Sequence, residues 1–121
     1  MNMEEKKERI KREEERLKEY FKSLPKNQFE TASGLIQNCA FMRVTLEDLQ
    51  DEILDHGTSE VYIHGANQKG IKASASLQAY QGTMKIYTSA IGKLIRMLPK
   101  ETKESDNIRE ELIDMMDKMS D

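Results

Sequence analysis

Tryptophan is absent from this 121-residue chain, aromatic residues make up only 6%, and there is a single cysteine. One cysteine closes no internal disulfide and fits a reducing compartment. No apolar run approaches the roughly 18 residues that a membrane-crossing helix needs, so no membrane span is expected. The first 26 residues are charged throughout and lack the apolar stretch of a secretory signal. Histidine occurs only at His56 and His64. Structural zinc sites use paired, closely spaced ligands, so these two and Cys39 are read as separate side chains rather than a metal set. Cys39 itself is expected to be a small core residue, because a reactive thiol wants a nearby histidine or helix N-terminus. No cofactor is expected.

Acidic residues are missing from one whole third of the chain. Residues 61–100 carry six Lys/Arg and no Asp or Glu. Residues 1–26 carry nine Lys/Arg against seven Glu, and residues 27–42 carry Glu30 alone. Residues 43–60 place six acids against Arg43, and residues 101–121 place eight acids against three cations. The formal net charge of −3 therefore hides a basic third that could attract phosphate and an acidic end that could attract a basic partner.

The strongest periodicity lies between Leu77 and Leu98. Leu77, Tyr80, Met84, Tyr87, Ile91, Leu94 and Leu98 recur in alternating steps of three and four, the seam of an α-helix. Ile86, Ala90 and Ile95 widen that seam into a core-facing stripe. Ser76 is the expected N-terminal cap, and Pro99 the stop, since the residue before proline is pushed out of helical geometry.

Upstream, Met3, Ile10, Leu17 and Leu24 repeat every seven residues, with Tyr20 and Phe21 beside them, and predict a charged helix. Glu5–Arg9, Glu8–Arg12 and Glu14–Lys18 have the favourable acid-first spacing. After Pro25 a second helix is expected over 27–43, burying Phe29, Ala32, Ile36, Cys39 and Ala40. Thr45-Leu-Glu-Asp48 resembles a capping box and predicts a third helix, with Leu46, Leu49, Ile53 and Leu54 inward. It should end near His56, followed by Gly57.

Residues 60–74 lack helical character. Val61, Tyr62 and Ile63 favour a strand, and Ile71 can pair with them across the turn 65–70. The fold expected is therefore mainly α: a helical domain with one short β-hairpin at about residues 60–73 before the long core helix. Its parts are a charged helical arm (1–26), a helical core with the hairpin (27–100), and an acidic, Met-rich helix (101–121). In the last of these, after a polar link over 102–105, Ile108, Leu112, Met115, Met116 and Met119 form an amphipathic stripe. Such a stripe suits a partner groove or the chain's own core.

Two catalytic readings fail on spacing. Gly65-x-x-x-x-Gly70 precedes Ile71-Lys72, whereas a phosphate-binding loop needs lysine directly after the second glycine. Asp51, Glu52 and Asp55 could hold Mg²⁺ for nuclease chemistry, but no second acidic motif completes a metal pair.

Phe21-Lys-Ser-Leu-Pro-Lys26, then Phe41-Met-Arg-Val-Thr-Leu-Glu-Asp-Leu-Gln50, then Gly65-Ala-Asn-Gln-Lys-Gly-Ile-Lys72, and then Tyr87 through Leu-Pro-Lys100 follow one another. This succession resembles the small subunits of phage terminases, the short single-domain type of phages and prophages, over residues 21–101. Where that family carries an acid shortly after the hairpin, this chain has Ala73-Ser-Ala-Ser76. The resemblance implies a non-enzymatic component that assembles into rings in the host cytoplasm, binds double-stranded viral DNA, and recruits or regulates the large ATPase/nuclease subunit.

Contact with DNA is then expected at Asn67, Gln68, Lys69 and Lys72, within the acid-free third. Lys6, Lys7, Arg9, Lys11 and Arg12 on the N-terminal helix come second. Ile108, Leu112, Met115, Met116 and Met119 are the candidates for docking the large subunit. The alternative is a helical protein–protein adaptor that binds no nucleic acid, favoured by the balanced charges of residues 1–26.

Overall fold

The structure, a computed structural model, describes residues 2–63, 69–99 and 102–120, with side-chain surroundings for 2–59, 73–99 and 102–118. Among the described residues there are four helices, so the chain is mainly helical. None of these helices is long and apolar enough to cross a membrane.

Helix α1 runs Met3–Phe21. It starts where the Asn2 side chain accepts a hydrogen bond from the Glu5 amide at 2.8 Å, which satisfies a free first-turn donor. A tight turn follows, with the Leu24 amide bonded to the Phe21 carbonyl. Pro25 then leads into α2, Lys26–His56.

At 31 residues α2 is about 46 Å long. It replaces the two helices expected over 27–43 and 45–56. A capping box needs a non-helical residue at Thr45, yet no glycine or proline interrupts the chain there. Val44 and Leu46 on either side are both buried, and packing carries the helix through. The local cost is a Thr45 hydroxyl buried without a partner among the described residues. Gly57 ends the helix at φ +87°, a conformation that side-chain-bearing residues rarely adopt. Leu54, expected inward, is 83% exposed.

Two short strands follow, β1 (Ser59–Ile63) and β2 (Lys69–Ala73), paired antiparallel with Val61 opposite Ile71. Their open end is tied by the Ser74 amide donating to the Thr58 carbonyl at 2.9 Å.

Helix α3 then runs Ala75–Met97. Its cap is Ser74 rather than Ser76: the Ser74 hydroxyl accepts from the Leu77 amide at 3.0 Å. Both serines have the right chemistry, but the strand pairing ends at Ala73, and the chain must turn at the next residue. Leu98 is extended at ψ 145°, as Pro99 requires.

The core joins all four helices. Leu17, Phe21 and Leu24 meet Ala32, Ile36 and Cys39 of α2, Tyr87, Ile91 and Leu94 of α3, and Leu112 of the last helix. The seam read from the sequence is thus the buried side of α3, deepest from Tyr87 onward. Ile86 is the exception: it is 62% exposed, because one step before Tyr87 lies about 100° around the helix.

Helix α4 spans Lys103–Ser120. Thr102–Ser105 is not a polar link but the start of this helix, since the Thr102 hydroxyl accepts from the Ser105 amide at 3.0 Å. Leu112 is completely buried, and Ile108, Met115 and Met116 pack against the core. The stripe expected to dock a partner therefore faces the chain's own interior at these four positions. Burying a leucine this fully stabilises by about 2 kcal/mol, which offsets the entropy of fixing a terminal helix. The surroundings of the Met119 side chain lie outside the described residues.

Candidate nucleic-acid interface

The two basic stretches are placed very differently. On α1, Arg9 reaches across to α2: its Nη1 donates to Asp48 Oδ1 at 2.7 Å and its Nη2 to Glu47 Oε1 at 3.1 Å. The Asp48 hydrogen bond pushes the Arg9 guanidinium further up from its ordinary value, against the opposing effect of burial. Lys6 Nζ lies 3.7 Å from Asp48 Oδ2 and 5.5 Å from the centre of the Phe41 ring. Within α2, Arg43 Nε sits 3.7 Å from Glu47 Oε2. These contacts form a charge clasp between the start of α1 and the second half of α2.

Most of the other α1 cations sit beside acids of their own helix. Lys7 pairs with Glu4 at 3.9 Å, Lys18 with Glu14 at 2.9 Å, and Arg16 with Glu13. Lys11 and Arg12 are exposed and share a shallow surface hollow with Glu8 and Glu15. Of the five α1 cations expected to contact DNA, Lys6, Lys7 and Arg9 are therefore already engaged with carboxylates. Of the three acid-first pairs expected on α1, Glu14–Lys18 is in direct contact, and Arg9 bridges to α2.

In the acid-free stretch the backbone of β2 carries Lys69 and Lys72, in register with Ile63 and Glu60 of β1. Asn67 and Gln68 lie outside the described residues. Immediately after β2, α3 presents Lys85, Lys93 and Arg96 to solvent. These three were not singled out from the sequence as contacts. The signal was present, because each falls off the apolar seam of a segment without acids. Arg96 lies over Gly92, where an added Cβ would come within 3.6 Å of its Nη1.

The remaining candidates sort by burial. Cys39 is fully buried, and burial, with a smaller contribution from Glu13, pushes its thiol up to about 12. A thiol held neutral in this way is a core side chain, not a nucleophile. Burial also raises the Tyr87 phenol, opposed by nearby Arg43, and the Tyr87 hydroxyl is unpartnered among the described residues. Tyr80 instead ties α3 to α2, accepting from Gln50 Nε2 at 3.0 Å. Asp51, Glu52 and Asp55 are exposed. No group of three His, Cys, Asp or Glu among the described residues is placed to hold a metal ion. His56 is exposed at the end of α2, and His64 lies outside the described residues.

Periodicity alone did not find a shallow apolar groove of about 310 Å³ where α2 and α3 meet. Leu35, Phe41 and Met42 line one side and Ile86, Ala90 and Lys93 the other. Phe41 is 54% exposed.

The chain matches no protein-family model, no curated protein and no solved structure.

Proposed function

We propose that this chain is the small, DNA-recognising subunit of a phage packaging terminase. In this reading it is a non-catalytic oligomer of the host cytoplasm that binds double-stranded viral DNA and recruits or regulates the large ATPase/nuclease subunit. The observation that carries the reading is the acid-free span 61–100, five of whose six cations lie on β2 (Lys69, Lys72) and on the exposed side of α3 (Lys85, Lys93, Arg96). The succession of phrases that resembles that family, from Phe21 to the Leu98-Pro-Lys100 that follows α3, supports it.

Lys69 and Lys72 are the first DNA contacts in this account, together with Asn67 and Gln68. Lys85 and Arg96 extend the basic path along α3. Lys11 and Arg12 follow at lower weight, since Glu8 and Glu15 lie beside them. Because the Met-rich stripe of α4 packs inward, docking of the large subunit passes to the outer face of α4, where Glu110, Ile113, Asp114 and Asp117 are exposed.

Native mass spectrometry of the full chain, alone and with a DNA duplex, tests the proposal. The expected result is a multi-copy closed assembly that takes up the duplex. A chain that assembles but leaves duplex DNA unbound would return the reading to a protein–protein adaptor.

A further inference from the structure

Two exposed apolar features of α2 have opposite electrostatic surroundings. The first is the groove lined by Phe41, Ile86 and their neighbours. Its rim is cationic at Lys93 on α3, while Lys6, over the Phe41 ring on the α1 side, already lies 3.7 Å from Asp48. The second is Leu54, the most exposed large hydrophobic residue among the described residues at 83%. It stands on the last turn of α2 among Asp51, Glu52 and Asp55, which are exposed and form no ion pair among the described residues.

We infer that the groove is a socket for a second copy of this chain, filled by Leu54 with Asp51 and Asp55 of that copy set against Lys93 at the rim. An apolar anchor in a pocket with opposite charges around it is the usual centre of a specific interface.

Charge also decides the symmetry. Two grooves placed face to face would set Lys93 against Lys93, and two acidic tips would repel likewise. The favourable pairing is tip to groove. Asn38 on the groove and Leu54 are separated by about 24 Å along α2 and lie on roughly opposite sides of it. Such a contact is heterologous: every copy keeps one unused tip or groove until the chain of copies closes. The inference rests on the terminase reading only for closure into a ring rather than an open filament.

The experiment uses two exposed-residue variants of the full chain, Leu54→Asp and Ile86→Asp, with circular dichroism to verify that both stay folded. Native mass is measured at micromolar concentration for the wild type, each variant, and their equimolar mixture, and duplex binding is measured for the wild type. The wild type is expected to assemble and each variant alone to be monomeric. The mixture should form a one-to-one dimer that stops there, since one variant keeps the groove and the other keeps the tip. If Leu54→Asp assembles like the wild type, or if the mixture stays monomeric, the tip-to-groove contact is wrong. A monomeric wild type also overturns it. Duplex binding by the wild type separates these failures from a failure of the DNA-binding role.

Discussion

The N-terminal segment carries nine cations and the 61–100 segment six, yet the smaller number leaves the stronger positive surface. On α1 the cations are interleaved with seven glutamates, and Lys6 and Arg9 are turned toward Glu47 and Asp48 of α2. On α3 no acid lies in the same segment, and Lys85, Lys93 and Arg96 point to solvent. A cation count is therefore a poor guide to a binding surface. What matters is whether the fold has already given each charge a partner. Partnered charges hold helices together, and unpartnered ones shape the potential felt by a phosphate backbone.

The contrast depends first on the core that orients both segments. Ile91→Asp should abolish it altogether, because an unpaired carboxylate at a fully buried position costs roughly 3 kcal/mol or more. Loss of the cooperative melt by circular dichroism is the expected outcome; a folded variant would contradict the buried seam.

Next in size is the direct comparison of the two basic surfaces. Lys85→Ala with Arg96→Ala should flatten the log–log salt dependence of duplex binding by up to about 1.8, roughly 0.9 for each phosphate that is no longer neutralised. Lys11→Ala with Arg12→Ala should change it less, since Glu8 and Glu15 lie beside these cations. Equal effects would erase the distinction drawn between the segments.

The clasp gives a smaller effect of a different kind. Arg9→Ala should lower stability by about 1 kcal/mol, as for a partly exposed ion pair, and the loss should shrink as salt is added. Its duplex affinity should stay at the wild-type value. A variant that binds DNA tenfold more weakly with unchanged stability would move Arg9 to the DNA side.

Cys39 gives an effect visible only at high pH. Its thiol is held up to about 12 in the folded chain, whereas in the unfolded chain it ionises near its ordinary value of about 8.5. Above that lower value the unfolded state sheds a proton that the folded state keeps, so this group's contribution makes stability fall as pH rises. Denaturant midpoints of wild type and Cys39→Ala should therefore converge between about pH 8.5 and pH 10. A constant gap across that range would contradict a buried, neutral thiol.

The parts of this fold that the sequence reveals are those governed by one local signal. The three-and-four spacing from Leu77 to Leu98 marks the buried side of α3, and Pro99 and Gly57 mark two helix ends. Where two local signals compete, packing decides. Thr45 has capping chemistry but sits between two buried residues in one long helix. Ser76 can cap, but the strand pairing leaves the turn at Ser74. Direction is harder still. Leu54 and Ile86 carry the same apolar label as their buried neighbours, and only the placement of α1 and α3 turns them outward. The Met-rich stripe of α4 was legible as a stripe, while the choice between its two expected targets, a partner groove and the chain's own core, was not. For the candidate site, the acid-free span is plain in the sequence. The diversion of Lys6 and Arg9 is not, because Glu47 and Asp48 lie some forty positions away.

The most direct test of the DNA-contacting role is duplex affinity across a salt series for the wild type and for Lys69→Ala with Lys72→Ala. The account predicts clear binding by the wild type at low salt, weaker binding by the variant, and a slope flatter by up to about 1.8. A wild type that fails to bind at low salt, or a variant with the same affinity and slope, would contradict it.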